Sequence, residues 1–421
     1  MDVTRPRADA HGVSARVVGL LTAAAFINFV DRGNLATAGP LIRDQFALSN
    51  AQLGLLLSAF FWSYSPGQLP AGWLAERLDA RRVLATGLAI WGVATALTGL
   101  ASGFVMLLVL RVMLGIGESV MYPASFKILA REALEEERGR ANGFLAASLF
   151  AGPAFGTLAG GLLMAAFGWR LTFIVFGCAS LLWLWPWLRT PDAQPSHGPR
   201  GTREGPSTRM ILRRRELWGM CLGHFCQAYS FYLVLSWLPV YLVKARGLSM
   251  TAMAQVGAVV YLTSAFASVL SGWGSDRWLA AGASINRVRM TGLLAGLAGI
   301  VVCMSACALA GSLGSLLAMA GCGICLAIVN PALYATTQTL AGPEAAGRWM
   351  GVQNFFGNFA GITAPIVTGV AVDRTGAFSA GFLIAAVLAL VGMTAYGLIV
   401  RRIEPIDWRT ANSSALAPTL P

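Results

Sequence analysis

The chain is dominated by long apolar stretches separated by short polar segments. Twelve of them are long enough to cross a bilayer as helices, since a crossing needs about 20 largely apolar residues. They are numbered spans 1 to 12 and cover residues 16–38, 51–74, 83–100, 105–130, 143–166, 171–188, 217–243, 254–273, 288–309, 313–340, 351–372 and 377–400. The runs are continuously apolar, whereas the strands of a membrane barrel alternate. The pattern therefore predicts an all-α membrane protein with twelve transmembrane helices.

Composition agrees with this class. Of the 421 residues, 56% are hydrophobic and 12% are charged, while soluble domains carry about 25% charged residues. The net charge of +12 raises the question of a nucleic-acid partner, but its placement favours membrane topology instead. With a cytoplasmic N-terminus, 24 of the 31 Lys and Arg residues fall on the cytoplasmic side, as the positive-inside rule requires. The five on the outer side are Arg43, Arg170, Lys244, Arg246 and Arg374.

This distribution predicts a multi-pass protein of the bacterial inner membrane, in contact with lipid, with both termini in the cytoplasm and no nucleic-acid partner. The N-terminus lacks the short apolar core and cleavage site of a signal peptide, so span 1 is expected to be retained. The cysteines all fall in apolar spans, and we predict no metal site. Cys221, His224 and Cys226 do not share one helical face, and Cys322 and Cys325 lack the βαβ context of a redox motif.

A Pro-, Gly- and charge-rich segment divides the spans six and six. We predict a cytoplasmic tail at 1–15, a six-helix bundle at 16–188, a cytoplasmic linker at 189–216, a second six-helix bundle at 217–400 and a tail at 401–421. The halves share sequence features, because GWLAER at 72–77 returns as GWGSDR at 272–277. Such repeats indicate two pseudo-symmetric bundles with a binding site near the membrane midplane.

These features resemble the major facilitator superfamily over nearly the whole chain. Its signature loop after the second helix has the form G-x-x-x-D-R-x-G-R-R, and the chain reads GWLAERLDARR, with Glu76 in place of the usual Asp. The resemblance implies the major facilitator fold, alternating access and a monomer. It also implies a cytoplasmic gate in which Glu76 would hold the N-terminus of a facing helix. The gate candidates are Gly72, Glu76, Arg77, Arg81, Asp276 and Arg277.

Four charges remain well inside the spans, namely Asp31 and Arg32 in span 1 and Arg111 and Glu118 in span 4. An ionisable residue at the bilayer centre costs about 2.5–3.5 kcal/mol on insertion scales, so it marks a functional site by default. Arg111 and Glu118 are two turns apart on one face. We predict cross-helix pairs of Arg32 with Glu118 and of Arg111 with either acid. The alternative is a neutral quartet that only joins the two helices, although buried ion pairs are weak sources of stability.

The chemistry of these side chains suggests a division of labour. Arginine stays protonated and offers a planar fork of donors to a carboxylate, whereas a desolvated Asp or Glu can carry a proton near neutral pH. The segments around them, INFVDRGNLATAGP and RVMLGIGESVMYPAS, resemble the anion:cation symporter branch of the superfamily. That branch includes bacterial sugar-acid and aromatic-acid transporters and the vertebrate sialic-acid and vesicular glutamate transporters. The resemblance implies proton coupling at Asp31 and Glu118, carboxylate contact by Arg32, and an accessory role for Arg111.

Polar and aromatic residues elsewhere are candidates for the rest of a substrate site. They are Tyr64 and Gln68 on span 2, Tyr229 and Tyr232 on span 7, Tyr334 and Gln338 on span 10, and Asn354 and Asn358 on span 11. The alternative interpretation is packing, because aromatic residues fill space and Asn bridges helices.

The sequence thus predicts a symporter that imports a small organic anion, such as a sugar acid or an aromatic carboxylate, together with protons and without a cofactor. A second possibility is a proton-coupled exporter of drugs or metabolites. The stretch from Gly152 to Thr157 approaches the G-P-x-x-G-G element of drug:proton antiporters, although small residues there also suit close helix packing. A membrane enzyme is disfavoured because no set of catalytic residues and no soluble domain accompany the spans.

Overall fold

The computed structural model describes residues 15–132, 135–191 and 206–408, and within these ranges it contains helices but no β-strand. The first half consists of α1 (Ala15–Gln45), α2 (Asn50–Arg77), α3 (Ala80–Thr98), α4 (Phe104–Glu118), α5 (Met121–Glu132), α6 (Glu135–Phe155), a π-helical turn (Gly156–Gly160), α7 (Gly161–Leu182) and α8 (Leu184–Leu188). The second half consists of α9 (Thr208–Leu212), α10 (Arg215–Val240), a π turn (Tyr241–Ala245), α11 (Met250–Ala280), α12 (Ile285–Leu309), α13 (Ser312–Thr375), α14 (Ser379–Thr394) and a final π turn (Ala395–Val400).

These helices account for the twelve predicted spans. Two glycines with positive φ, Gly168 (79°) and Gly342 (66°), break α7 and α13 and so separate spans 5 and 6 and spans 10 and 11. Glycine suits both breaks because it has no Cβ to oppose this backbone conformation. Eight helical segments among the described residues are long and apolar enough to cross a membrane, and the 42-residue one, Ala147–Leu188, contains the break at Gly168. The prediction of an all-α membrane fold is confirmed.

The chain forms two compact units. The first comprises residues 1–35 and 62–200, and the second comprises 36–61 and 201–421. The sequence-based division into bundles at 16–188 and 217–400 stays a prediction. The boundaries between the units fall inside α1, at residues 35/36, and inside α2, at residues 61/62. Each boundary is next to a carbonyl that lacks its helical hydrogen bond, because Pro40 has no amide hydrogen to donate to Ala36 and Pro66 has none to donate to Trp62.

In the first unit, glycines allow α6 and the π-helical turn that follows it to approach α1 closely. A Cβ at Gly152 would lie 2.5 Å from Cβ of Phe29, and one at Gly156 would lie 3.0 Å from the Val30 carbonyl oxygen. A Cβ at Gly160 would likewise meet Asn34 Oδ1 at 2.8 Å. This contact fixes the turn of α1 that carries Asp31 and Arg32.

Replacing Gly152 by Ala is expected to lower the stability of the protein by about 1–3 kcal/mol, the usual effect of overpacking. The added methyl would press on the Phe29 Cβ and the Phe26 carbonyl oxygen, which a change of side-chain rotamer cannot move. Gly19→Ala is the control, because Gly19 lies on α1, the helix that Gly152 contacts, and a Cβ there meets nothing within 4 Å. Thermal unfolding of the two variants in detergent measures the difference, and an equal melting temperature would contradict the packing described here.

In the second unit, α10 is buried along most of its length and packs mainly against α13 and α14. Gly223 permits a further contact with the final π turn, since a Cβ at Gly223 would lie 2.2 Å from the ring of Tyr396. Near the C-terminal end of α10, Trp237 donates from Nε1 to the Pro365 carbonyl of α13 at 3.2 Å.

Candidate functional site

The site begins with a break in span 4. Helix α4 ends at Glu118 and α5 begins at Met121, because Pro123 has no amide hydrogen to donate to Ser119. The end of α4 is pressed against α3, where a Cβ at Gly117 would lie 2.7 Å from the Gly87 carbonyl oxygen. Glycine at both positions therefore fixes the place from which the Glu118 side chain extends.

Arg32 and Glu118 form a salt bridge within the first unit. Arg32 Nε donates to Glu118 Oε2 at 2.8 Å, and the two side chains are 8% and 0% exposed. This is the cross-helix pair that the sequence predicts between spans 1 and 4. Because the pair is shielded from water, its attraction is screened far less than that of a surface pair.

Two aromatic rings flank the Arg32 guanidinium. Its Cζ atom lies 4.2 Å from the ring centre of Tyr64 and 5.0 Å from that of Phe29. Helix α2 is held beside α4 by the Ser63 hydroxyl, which donates to the Val112 carbonyl at 2.7 Å. Cation–π contacts of this kind stabilise a desolvated guanidinium and keep its plane in one orientation. Tyr64, a predicted substrate contact, thus orients the arginine.

Asp31 lies on the neighbouring face of α1 and is 2% exposed. Its Oδ2 accepts a hydrogen bond from the Ser180 hydroxyl of α7 at 3.3 Å. The second oxygen of each acid, Asp31 Oδ1 and Glu118 Oε1, is buried and accepts no hydrogen bond of good geometry among the described residues, although Thr95 lies near Asp31 and Asn28 lies near Glu118. A buried carboxylate oxygen in this situation is costly when charged, so both acids are suited to bind a proton.

Arg111 completes the group. It is 5% exposed and close enough to Asp31, Arg32 and Glu118 for their charges to act on it. Two acids and two bases are therefore enclosed together in the first unit, as a set that is neutral when all four are ionised. Such a set can bind a proton on an acid together with an anion on an arginine without a net change of charge.

The gate candidates are only partly covered by the structure. The surroundings of Gly72 and the side chain of Glu76 lie outside the described part of the structure, so the predicted capping by Glu76 stays a prediction. Arg81 is buried and donates to the carbonyls of Thr190 and Pro191 at 3.2 and 2.8 Å. Arg77, Asp276 and Arg277 are exposed at helix ends.

Asp79 has a structural role in the same loop that the motif comparison missed. It stands where the family signature has glycine, and its carboxylate accepts from the Arg81 amide at 2.8 Å as the N-cap of α3. Asp at the residue before a helix is a standard capping signal, so the sequence contained the information.

The remaining candidates from spans 7, 10 and 11 lie in the second unit. Tyr232 donates from its hydroxyl to Asn358 Oδ1 at 3.1 Å, and Asn354 is half-buried one turn earlier on the same helix. Tyr229 is buried, with its hydroxyl near the Thr368 side chain. Tyr334 packs edge-on against His224, with ring centres 6.3 Å apart.

Two further candidates are glutamines. Gln338 is exposed, and Gln68 of the first unit is half-buried one turn after Tyr64. The roles of all these residues in substrate binding stay predictions.

Sequence reasoning did not single out several polar residues that the structure buries. Ser180 contacts Asp31, and Gln227 donates from Nε2 to Asn330 Oδ1 at 3.3 Å in the second unit. A serine in an apolar span is too common to carry a signal alone. Gln227 and Asn330 carried one, because amides inside spans 7 and 10 need hydrogen-bond partners in lipid.

Comparison with known proteins places this geometry in a family. The family model of the Major Facilitator Superfamily matches residues 21–365. The probable sulfoacetate transporter SauU of Cupriavidus necator is 30% identical, over 96% of this chain and 98% of that protein. The probable galactarate/D-glucarate transporter GudP of Bacillus subtilis is 29% identical, over 93% and 92%. The D-galactonate transporter of Escherichia coli is 28% identical, over 90% and 94%.

Solved structures agree on the fold. A bacterial homologue of the human lysosomal transporter Spinster, in an inward-facing and unoccupied conformation, superimposes with a TM-score of 0.79. The alignment covers 92% of this chain and 97% of that structure at 21% identity. The family model spans most of the chain, and its relatives are membrane transporters rather than enzymes. The chain belongs to the Major Facilitator Superfamily.

Proposed function

We propose that the protein is a proton-coupled symporter that imports a small organic anion, such as a sugar acid or an aromatic carboxylate. It would act in the bacterial plasma membrane with both termini in the cytoplasm. The observation that carries the proposal is the buried Arg32–Glu118 salt bridge, with Asp31 and Arg111 beside it. An organic anion requires a cationic partner, and the two buried arginines supply one.

The salt bridge supplies a mechanism for coupling. While Glu118 is ionised, it occupies the Nε–H of Arg32 and competes with a substrate carboxylate. Protonation of Glu118 removes that competition, and the guanidinium can then bind the incoming anion. Release of the proton on the other side of the membrane restores the salt bridge and expels the substrate. Coupling thus follows from competition for one arginine.

Charge balance supports the same cycle. The four side chains are neutral together when the site is empty, and one anion with one proton leaves the total unchanged. A neutral loaded site avoids the cost of carrying a net charge through the membrane interior. Asp31 offers a second position for a proton, which would let a dianion travel with two.

The names of the relatives support a small acid as the substrate. Those proteins are named for sulfoacetate, galactarate and D-glucarate, and D-galactonate, all of which carry at least one anionic group. The competing hypothesis is a proton-coupled exporter, based on the Gly152–Thr157 stretch. Gly152 and Gly156 are accounted for by their contact with Phe29 and Val30 of α1, which weakens that hypothesis.

The test is transport by the purified protein in vesicles. Uptake of labelled D-galactonate, galactarate, D-glucarate, sulfoacetate and benzoate would be measured with an acidic exterior and with equal pH on both sides. We expect at least one acid to accumulate only when the exterior is acidic, and an uncoupler to abolish accumulation. Equal uptake with and without the pH gradient would contradict proton coupling. Proton-driven exchange of a cationic dye, with no transport of any acid, would favour the exporter.

A further inference from the structure

A large cavity lies at one end of the second unit. It has a volume of about 760 Å³ and is formed where α10 ends and where α13 is followed by α14. We call it the terminal cavity, and its walls include Arg43, Lys244, Arg246, Asp373 and Ala377. The cavity is thus at the C-terminal end of α10, and the helix begins at Arg215 at its opposite end.

The positive charges of the terminal cavity stand out against the topology of the chain. Only five of the 31 basic residues fall on the predicted outer side. Three of those five, Arg43, Lys244 and Arg246, line this one cavity. The positive-inside rule disfavours cations there, so membrane insertion does not explain why they are grouped.

Asp373 is the one acid in the wall, and its hydrogen bonds go to the start of α2. Asp373 accepts hydrogen bonds from the Asn50 amide at 3.0 Å, Asn50 Nδ2 at 2.8 Å and the Ala51 amide at 2.7 Å. These groups form the N-terminus of α2, whose partial positive charge compensates a carboxylate. Lys244 forms a salt bridge with Asp44 at the end of α1. Asp373 and Asp44 are therefore both paired. The three basic residues of the wall outnumber these two acids, so the charges at the cavity sum to a net positive value.

Each of the two arginines donates from Nε to an uncharged oxygen. Arg246 donates from Nε to the Tyr241 hydroxyl at 2.7 Å and lies 5.0 Å from the centre of that ring. Arg43 donates from Nε to the Leu48 carbonyl at 3.4 Å. Both guanidiniums keep their positive charge in the cavity wall, and the planar donor set of arginine is suited to the recognition of carboxylates.

From these observations we propose that the terminal cavity is a capture site for small organic carboxylates, and that it raises their concentration at the outer face before transport. This inference rests on the proposed function for the identity of the anion and on the predicted orientation for the side. Clefts lined by one sign of charge attract ligands of the opposite sign and speed their arrival. The effect decreases with ionic strength.

Cysteine labelling tests the charge of the cavity without requiring transport. Ala377 is exposed in the wall, and Ala377→Cys would be placed in a background with Cys178→Ser and Cys307→Ala, since Cys178 is exposed and Cys307 lines the cavity. Rates of modification by an anionic and a cationic methanethiosulfonate are compared in phosphatidylcholine vesicles. We expect Arg43→Gln with Arg246→Gln to lower the anionic-to-cationic rate ratio by about tenfold.

The control is Arg374→Gln, which removes the same charge from an exposed residue next to Asp373 that does not line the cavity. It should change the ratio far less. A ratio that is unchanged in the double variant, or that falls equally in the control, would overturn the proposal. D-galactonate should slow labelling when both arginines are present and not in the double variant. Slowing by added phosphatidylglycerol but not by D-galactonate would assign the cavity to lipid headgroups and overturn it too.

Transport kinetics provide the second readout. With D-galactonate as the labelled substrate at low ionic strength, the double variant should raise KM by about three- to tenfold and leave kcat unchanged, because the arginines assist arrival and not translocation. A loss of kcat with an unchanged KM would contradict this. Should the vesicles not transport D-galactonate at all, the proposed function fails for that acid while the labelling result still stands or falls alone.

Discussion

Replacing Arg32 by Gln is expected to abolish organic-anion transport. The substitution removes the cation that would bind the substrate carboxylate and leaves Glu118, which is fully buried, without its salt-bridge partner. Leaving Glu118 unpaired costs about 3–5 kcal/mol of stability, and loss of the arginine partner of a buried substrate carboxylate costs about 2–5 kcal/mol of binding free energy, which is a loss of about thirtyfold or more in affinity. The measurement is uptake and substrate binding by the purified variant in vesicles.

A second variant separates binding from folding. Arg32→Gln combined with Glu118→Gln removes both charges, so the stability lost in the single variant should largely return while transport stays absent. Arg32→Lys should retain weak binding, because it keeps the charge but loses the planar fork and the stacking on Tyr64. Wild-type affinity in any of these variants would move the anion site away from Arg32.

The matched control is Arg170→Gln. Arg170 belongs to the same unit and also lies over an aromatic ring, 4.6 Å from the centre of Trp169. It donates to the Gly99 and Ala101 carbonyls at 3.2 and 2.7 Å, at the end of α3. It therefore has the same side-chain chemistry outside the charged quartet, and its loss should leave transport within about twofold, as is usual for a residue remote from the site.

Much of the fold is predictable from hydropathy because lipid forces every backbone hydrogen bond inside a span. The twelve apolar stretches therefore had to be helices, and the glycines at 168 and 342 mark two of the breaks between them. The break between α4 and α5 was less visible, although Pro123 signals it. Hydropathy also carries no information on which helix segments pack together, and so the grouping of 36–61 with the second unit could not be predicted.

The charged quartet was predictable for a different reason. Asp31, Arg32, Arg111 and Glu118 are conspicuous because each is expensive in an apolar span, and the structure joins Arg32 to Glu118 directly. The rest of the site depends on neutral residues whose value is set by their neighbours. The hydroxyl of Ser180 and the ring of Tyr64 become informative only once the helices are packed around Asp31 and Arg32.

Replacing Glu118 by Gln is expected to separate exchange from accumulation. Glutamine has the shape of the protonated acid but cannot release a proton, so Arg32 should remain available for the anion at every pH. Exchange of labelled for unlabelled substrate across the membrane should then continue. Accumulation against a gradient should be lost, because no proton leaves with the substrate.

The size of the effect follows from the driving force. One unit of pH difference supplies about 1.4 kcal/mol per proton, which is enough for about tenfold accumulation of a co-transported anion. Wild-type vesicles with an acidic exterior should approach that ratio, whereas Glu118→Gln vesicles should reach about one. The control is Glu404→Gln, which changes an exposed acid after the last helix and should accumulate substrate as the wild type does.

Asp31→Asn tests the second acid, since Asp31 contacts Ser180 and not Arg32 in the described bonds. If Asp31→Asn alone loses accumulation and Glu118→Gln keeps it, the coupling proton resides on Asp31 and the competition for Arg32 does not drive the cycle.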